Sequence, residues 1–538
     1  MVSKLRRAPV DTERLDLGSR RIRFPQRVGI SRHGMVATAQ HRATEAGVEI
    51  LEDGGNAVDA AVAAAFALGV CEPAASGLGG QTMMLIHEAQ SRRTIALDGS
   101  SRAPNRTTPG ALSKPERRMG YLAMTVPSTP ACLRYAVERY GTRKLPRLLE
   151  PAIRLAEQGY EITPLQHWLA RRELRLLKEG TAGRFFLRDG ERPFTPGAVF
   201  KQPVLAETLR RLAKKGVRDF YSGEIAAHIE QDMVSNGGLI HKDDLAQVPR
   251  PIERRPLAGH FQGHRVFTFP PPAAGRTLIQ MINVYEHLPA NRKVLDTPDG
   301  AVTLAEVIRR AFLDRQDRPY DPNFYSQISS KHMLSLSHAK NVAKQVLKRL
   351  RTAGETTHLS VMDRFGNAVA LTQSIENVFG ACAAAPELGF LYNNYMNAFE
   401  YTDISHPHYM RPNAVPWASV APTIVFRGKR LWLAIGSPGS ERITPSIFQV
   451  LYRLQTHTPF AAVDAPRLHC ALNGTVSLEA SRMRDDIPAA LESYGYQLDI
   501  RDPYSFYMGC VQLVMREGEE FIGVADPRRD GSARGPTQ

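Results

Sequence analysis

The chain reads as a layered α+β sandwich, and three observations predict it. Helical text dominates from about residue 34 to about 330, strand text takes over at Thr356, and helices resume near Pro445. Blocks of helices and strands in that order pack as layers of helix on sheet. With 538 residues, 43% hydrophobic and 23% charged, the chain has the composition of an ordinary soluble protein with material for one large core or several smaller ones.

The elements follow in order. Residues 1–33 read as a polar arm, basic but without the apolar run of a secretory signal, so the cytoplasm is the expected location. Asn56-Ala57-Val58-Asp59 opens an alanine-rich helix. Its apolar run, Ala60 to Cys71, is too short to span a bilayer of about 30 Å and reads as a buried helix, so no membrane contact is expected. Strands are expected near Thr82–Ile86 and Arg93–Leu97. Between Lys340 and Arg351, Val342, Val346, Leu347 and Leu350 fall at helix spacing, which leaves the lysines and arginines on a solvated face. Beyond Thr356, strands are expected at Gly389–Tyr392, Thr423–Phe426, Leu431–Ile435 and Val511–Met515, and helices at Pro445–Leu454 and Asp486–Tyr494. The text shows no internal repeat and no low-complexity segment.

The five cysteines, Cys71, Cys132, Cys382, Cys470 and Cys510, are scattered without a CxxC pair. They support neither a zinc knuckle nor a disulfide framework and read as buried thiols, with a single bridge left open. His406 and His408 lack a nearby acid–histidine set and read as loop residues; no metal or other cofactor is expected. The net charge of +15, with a pI near 9.7, raises a nucleic-acid reading. The basic residues are dispersed, however, and no nucleic-acid-binding motif accompanies them.

The most informative stretch begins at Glu355-Thr356. The text TTHLSVMDRFGNAVALTQS sets two alternating β-prone runs on either side of the turn-forming cluster Asp363–Asn367. A hairpin symmetric about Phe365 has pairing indices that sum to 730, which puts Thr356 opposite Ser374 on one face; a one-residue slip breaks that pairing. Thr372, two positions earlier, shares the face. An internal threonine hydroxyl is a poor nucleophile. Cutting the Glu355–Thr356 bond frees an α-amine of pKa about 7.7–8.0 on the same residue, a base suited to neutral pH. A plain surface hairpin is the competing reading of these residues alone.

The segment resembles the start of the small subunit in the γ-glutamyltransferase family of N-terminal-nucleophile hydrolases. Further ordered similarities include ATEAGVEILEDGGNAVDAAVAAAFALGVCEP, Gly77-Leu78-Gly79-Gly80, FPPPAAGRTLIQMINVYE, Gly436-Ser437-Pro438-Gly439 and the closing ADPRRDG. The resemblance implies a four-layer αββα sandwich built from two self-cleaved fragments, a mostly helical large subunit at 34–355 and a small subunit at 356–538. It also implies that the fragments pair as a heterodimer, with a dimer of these left open.

By resemblance, Thr356 matches the nucleophile and Ser374 its hydroxyl partner, while the backbone N–H groups of Gly439 and Ser440 match an oxyanion hole; Ser440 replaces a family glycine. The departures lie in the donor pocket. The arginine that binds the glutamyl carboxylate aligns with Ser100, and Arg102 lies two residues on. The family's amine-binding asparagine, glutamine and aspartate align with Glu376, Tyr395 and Ala398, and its adjacent serines with Ala418 and Ser419. A lost charge-assisted hydrogen bond costs about 1.5–3 kcal/mol, so two losses weaken γ-glutamyl binding by orders of magnitude. Glu376 in the pocket would favour a cationic or hydrogen-donating group, and Tyr395 adds a flat face with a polar tip. The expected function is therefore that of an amide hydrolase or acyltransferase acting on a small non-glutathione amide, with water or an amine as acceptor and no specific nucleic-acid partner. A true glutathione hydrolase, and an unprocessed scaffold or basic nucleic-acid-binding protein, are the alternatives.

Overall fold

The computed structural model describes residues 26–110, 112–247, 251–290, 293–316, 320–326, 328–329, 331–345 and 356–537. Two seven-stranded antiparallel sheets lie face to face. The first runs, edge to edge, Ser532–Arg534, Gly34–Thr38, Thr357–Asp363, Ala368–Ser374, Gln81–Glu88, Arg93–Gly99 and Ile252–Arg254. The second runs Val28–Ser31, Glu520–Ala525, Gln512–Glu517, Arg430–Gly436, Thr423–Arg427, His264–Thr268 and Leu257–Phe261. Helices His41–Glu52 and Ala57–Cys71 cover the outer face of the first sheet, and Gly275–Glu286 and Ile443–Arg453 cover the second. The layers are αββα.

Alternation along the strands separates two cores. Val36, Leu359, Val361, Val369 and Leu371 point to the helices at 41–71. Their neighbours Met35, Ala37, Met362, Ala368 and Ala370 join Ile424, Leu433 and Val514 between the sheets. This is the period-2 pattern of a strand buried on both sides. The helix Ala57–Cys71 is apolar around its circumference because it is enclosed on every side. Its start is a capping box: Asn56 Oδ1 accepts from the N–H of Val58 and Asp59, and Asp59 Oδ2 accepts from Asn56 N–H at 2.9 Å.

The hairpin has the register read from its sequence. Thr357 pairs with Gln373, His358 with Thr372 and Met362 with Ala368, each pair summing to 730. Asp363 sets the turn by accepting from Phe365 N–H and Asn367 N–H, both at 2.9 Å, and ties it to the helix by accepting from Ala57 N–H at 2.8 Å.

Several expectations need correction. Val28–Ser31, read as part of the polar arm, is an edge strand paired with Phe521–Val524. The mostly helical stretch after residue 34 also contains Gly34–Thr38 and the strands between Ile252 and Thr268. Gly389–Tyr392 is not a strand; it makes only single bridges, Ala384 with Leu391 and Gly79 with Tyr392, because the chain there turns repeatedly. The helix expected from Lys340 starts earlier, at Leu336, and is described to Gln345; the rest of that segment, Glu355 included, lies outside the described residues. All five cysteines are buried.

Candidate active site

Thr356 is buried at the entry to the hairpin, one residue before its first ladder pair. Continuing the register places it opposite Ser374. By alternation both project with His358 and Thr372 into the space between the sheets, whereas Thr357 and Gln373 face the helices. Thr357 Oγ1 donates to Glu72 Oε2 at 2.6 Å, and Gln373 Nε2 donates to Ala65 O at 3.0 Å. Ser374 Oγ accepts from Glu376 N–H at 2.9 Å.

Thr356 lines a cleft with Glu72, Glu376, Val378, Phe506 and Arg529. Arg529 donates to Glu72 Oε1 at 2.8 Å and lies 4.3 Å from the centre of the Phe506 ring. Glu376 has φ of 76°, a left-handed conformation that a side chain disfavours, and burial pushes its carboxyl up to about 7. Tyr395 is buried at the start of the short helical turn Tyr395–Ala398, with Glu376, Ser374 and Gln81 around its phenol; desolvation raises its pKa.

Behind Thr356 sits His358, fully buried. Its Nδ1 lies 2.8 Å from Thr372 Oγ1 and its Nε2 3.1 Å from Ser360 Oγ; desolvation lowers its pKa to about 3, so the ring is neutral. The ring presses on Gly436 so closely that a Cβ there would sit 2.2 Å from it. That contact places the end of strand Arg430–Gly436, and the turn after it, beside the start of the hairpin.

The turn has the conformation of a backbone donor site. Gly439 has φ of 116° and Ser440 of 51°, and the N–H groups of both lack an acceptor among the described residues. Gly439 packs against Gly509, where a Cβ would stand 2.9 Å from the Gly509 Cα. Arg442 Nε donates to Tyr507 O at 3.1 Å. The turn is thus fastened to the segment that carries Phe506 into the Thr356 cleft.

The remaining predicted residues lie elsewhere. Ser100 Oγ donates to Asp98 Oδ1 at 2.5 Å, and Ser100 and Arg102 line a separate depression with Asp98 and Asn323. Asp321 and Asp98 offset part of the lowering that desolvation imposes on the pKa of Arg102. Ala398 is half-buried at the end of its turn. Ala418 is a core residue whose N–H donates to Pro272 O at 3.0 Å, and Ser419 beside it is half-buried. His406 and His408 lie in the loop after Phe399, and His408 stacks on the Phe399 ring with centroids 5.4 Å apart. Reasoning from sequence missed Glu72, His358, Phe506 and Arg529. Glu72 and Arg529 stand inside the motifs CEP and ADPRRDG, but nothing local to either pairs them across 457 residues.

The family model described as Gamma-glutamyltranspeptidase matches residues 43–535. The glutathione hydrolase proenzyme of Escherichia coli (strain K12) is 32% identical, with 93% of this chain and 91% of that protein covered. The acylase ACY 1 proenzyme of Pseudomonas sp. (strain V22) is also 32% identical, with 93% of each covered. The crystal structure of cephalosporin acylase from Bacillus halodurans superposes with a TM-score of 0.87 at 28% identity, covering 97% of this chain and 100% of that one. The chain belongs to the gamma-glutamyltranspeptidase family, and its class is that of the N-terminal-nucleophile amide hydrolases and acyltransferases. No helix among the described residues is long and apolar enough to cross a membrane.

Proposed function

We propose that the chain cleaves itself before Thr356 and then acts through that residue on an acyl donor other than a free γ-glutamyl group. The hairpin register carries this reading, because it sets Thr356 opposite Ser374 at a cleft that also holds the Glu376 carboxyl. In the uncut chain, Thr356 Oγ attacks the Glu355 carbonyl carbon. The C–N bond breaks as the nitrogen takes a proton, and water hydrolyses the resulting ester. The freed α-amine is then the base for turnover: it takes the Thr356 hydroxyl proton as Oγ attacks the donor carbonyl and returns it to the leaving amine. The N–H groups of Gly439 and Ser440 hold the oxyanion, and water or an amine resolves the acyl-enzyme. The fragments remain a heterodimer in this account, because the hairpin lies between Gly34–Thr38 and Gln81–Glu88 in one sheet.

By resemblance Ser100, Glu376, Tyr395 and Ala398 replace the family's γ-glutamyl binders, and the acylase relative supports a donor outside glutathione. The equally identical glutathione hydrolase relative favours the second reading, in which head-group contacts come from elsewhere. Thr356→Ala should abolish both cleavage and turnover, Thr356→Ser should keep part of each, and Ser374→Ala should slow cleavage with the fold intact. In the wild-type protein, kcat/KM for glutathione should fall at least about a hundredfold below that of a standard family member, from two lost contacts of about 1.5–3 kcal/mol each. A wild-type rate in Thr356→Ala moves the nucleophile elsewhere; glutathione hydrolysis at a standard rate promotes the second reading.

A further inference from the structure

A second chamber adjoins the Thr356 cleft. Its walls carry Tyr160, Phe186, Phe194, Phe200 and Phe379, and the void between them offers about 40 Å³ to the centre of a water-sized sphere. Four stretches of chain run from one space to the other. Glu72 and Ala74 line both, and so does Leu169 of helix Pro164–Arg172. Val378 faces the cleft where Phe379 faces the chamber, and Arg529 faces the cleft where Asp530 faces the chamber. An aromatic-walled space left unfilled in a protein interior forgoes packing energy, which is the usual mark of a place kept for a ligand.

The chamber also holds two buried polar groups with hydrogen-bonding capacity to spare. Gln40 Nε2 is buried without a hydrogen-bonding partner among the described residues, and the buried Tyr160 phenol has the Gln166 amide beside it, which leaves its own proton to donate. Gln40 is not idle otherwise, since its Oε1 accepts from Arg42 N–H at 2.7 Å and caps the helix that follows. A buried amide donor and a phenol proton in a largely aromatic and aliphatic space, polar at Glu72, Gln166, His167 and Asp530, suit a guest with an oxygen acceptor on an otherwise apolar frame.

Resting on the nucleophile assigned above, we infer that this chamber is the acyl-group subsite and selects donors whose acyl part is a single aromatic ring bearing an oxygen acceptor. The carbonyl carbon stays at Thr356 Oγ while the ring passes Leu169 and Ala74 to lie among the phenylalanines. The acceptor oxygen then takes hydrogen bonds from Tyr160 and Gln40.

The test compares the 4-nitroanilides of acetic, phenylacetic and 4-methoxyphenylacetic acids on the cleaved full-length protein, with calorimetric titration of 4-methoxyphenylacetate as a readout independent of turnover. The expected order of kcat/KM is 4-methoxyphenylacetyl, phenylacetyl, acetyl, with at least tenfold between the last two. Tyr160→Phe should raise KM severalfold for the methoxy donor alone. Ala170→Leu, which fills the chamber from helix Pro164–Arg172, should remove the preference for aryl donors and weaken 4-methoxyphenylacetate binding at least tenfold, with self-cleavage and acetyl turnover unchanged. Equal kcat/KM for acetyl and aryl donors, or an Ala170→Leu protein that cleaves itself normally and binds the acid as wild type does, overturns the assignment. Tight binding of the acid, lost in Ala170→Leu, supports the chamber even if Thr356 is not the nucleophile, so the two claims fail separately.

Discussion

Glu376 shows what a single side chain does to the chemistry of the cleft. Desolvation holds its carboxyl at about 7, above the ordinary value. Below about pH 4.3, the reference value, folded and unfolded chains both carry the proton and burial of the charge costs nothing. As the pH rises toward 7 the unfolded chain releases its proton while the folded chain retains it. The stabilising contribution present at low pH is lost over that window and is gone above it. Glu376→Gln should therefore leave stability at about pH 4.3 unchanged and raise it at pH 8 by on the order of 1–3 kcal/mol. Urea unfolding at both pH values checks this. An equal effect at the two would mean that the charge is not what burial penalises. Ser440 is the complementary case, because it occupies a left-handed position, at φ of 51°, that favours glycine. The backbone donor, not the side chain, is what that position offers.

At the scale of elements, the decisive contact joins one strand of each sheet. His358 fills the gap left by Gly436, and no side chain fits there without displacing the ring. Gly436→Ala should cost about 1–3 kcal/mol by overpacking and impair self-cleavage, because it pushes the turn at 437–440 away from the start of the hairpin. Thermal melting and the extent of cleavage on a denaturing gel measure both effects; a protein of unchanged Tm that cleaves at the wild-type rate contradicts it. The same contact explains what could be read from sequence. The hairpin was legible to the residue because its turn is local and its alternation regular: Asp363 and Asn367 carry both signals themselves. The strand Gly34–Thr38 was not legible, since it is five residues long and buried on both faces, so it has no polar alternation to betray it. Glu72 with Arg529, and His358 with Gly436, are pairs made by tertiary packing between distant segments, and no local pattern announces them.

At the scale of the whole molecule, the positive charge is partly structural. Arg528 donates to Glu479 and to Asp526, and Arg467 is paired with Asp526, all with buried side chains. Arg27 donates to Asp526 O, Arg529 O and Gly531 O. Those guanidinium groups are committed to interior partners, which takes Arg27, Arg467 and Arg528 out of contention as phosphate binders. Titration with DNA or RNA at about 150 mM salt should show no submicromolar binding, because non-specific phosphate contacts weaken about a thousandfold or more between 50 and 200 mM salt. Sequence-selective submicromolar binding would reveal a second functional surface. The central claim concerns how the two fragments arise: the hairpin is hydrogen-bonded on both flanks to strands that precede it, and Thr356 at its entry is proposed as the nucleophile. The intact masses and N-terminal sequence of the purified active protein test this most directly. The account predicts two chains, the smaller of 538 − 355 = 183 residues and beginning TTHLS. A single uncut chain with full amide-hydrolase activity, or a new N-terminus at any residue other than Thr356, would contradict it.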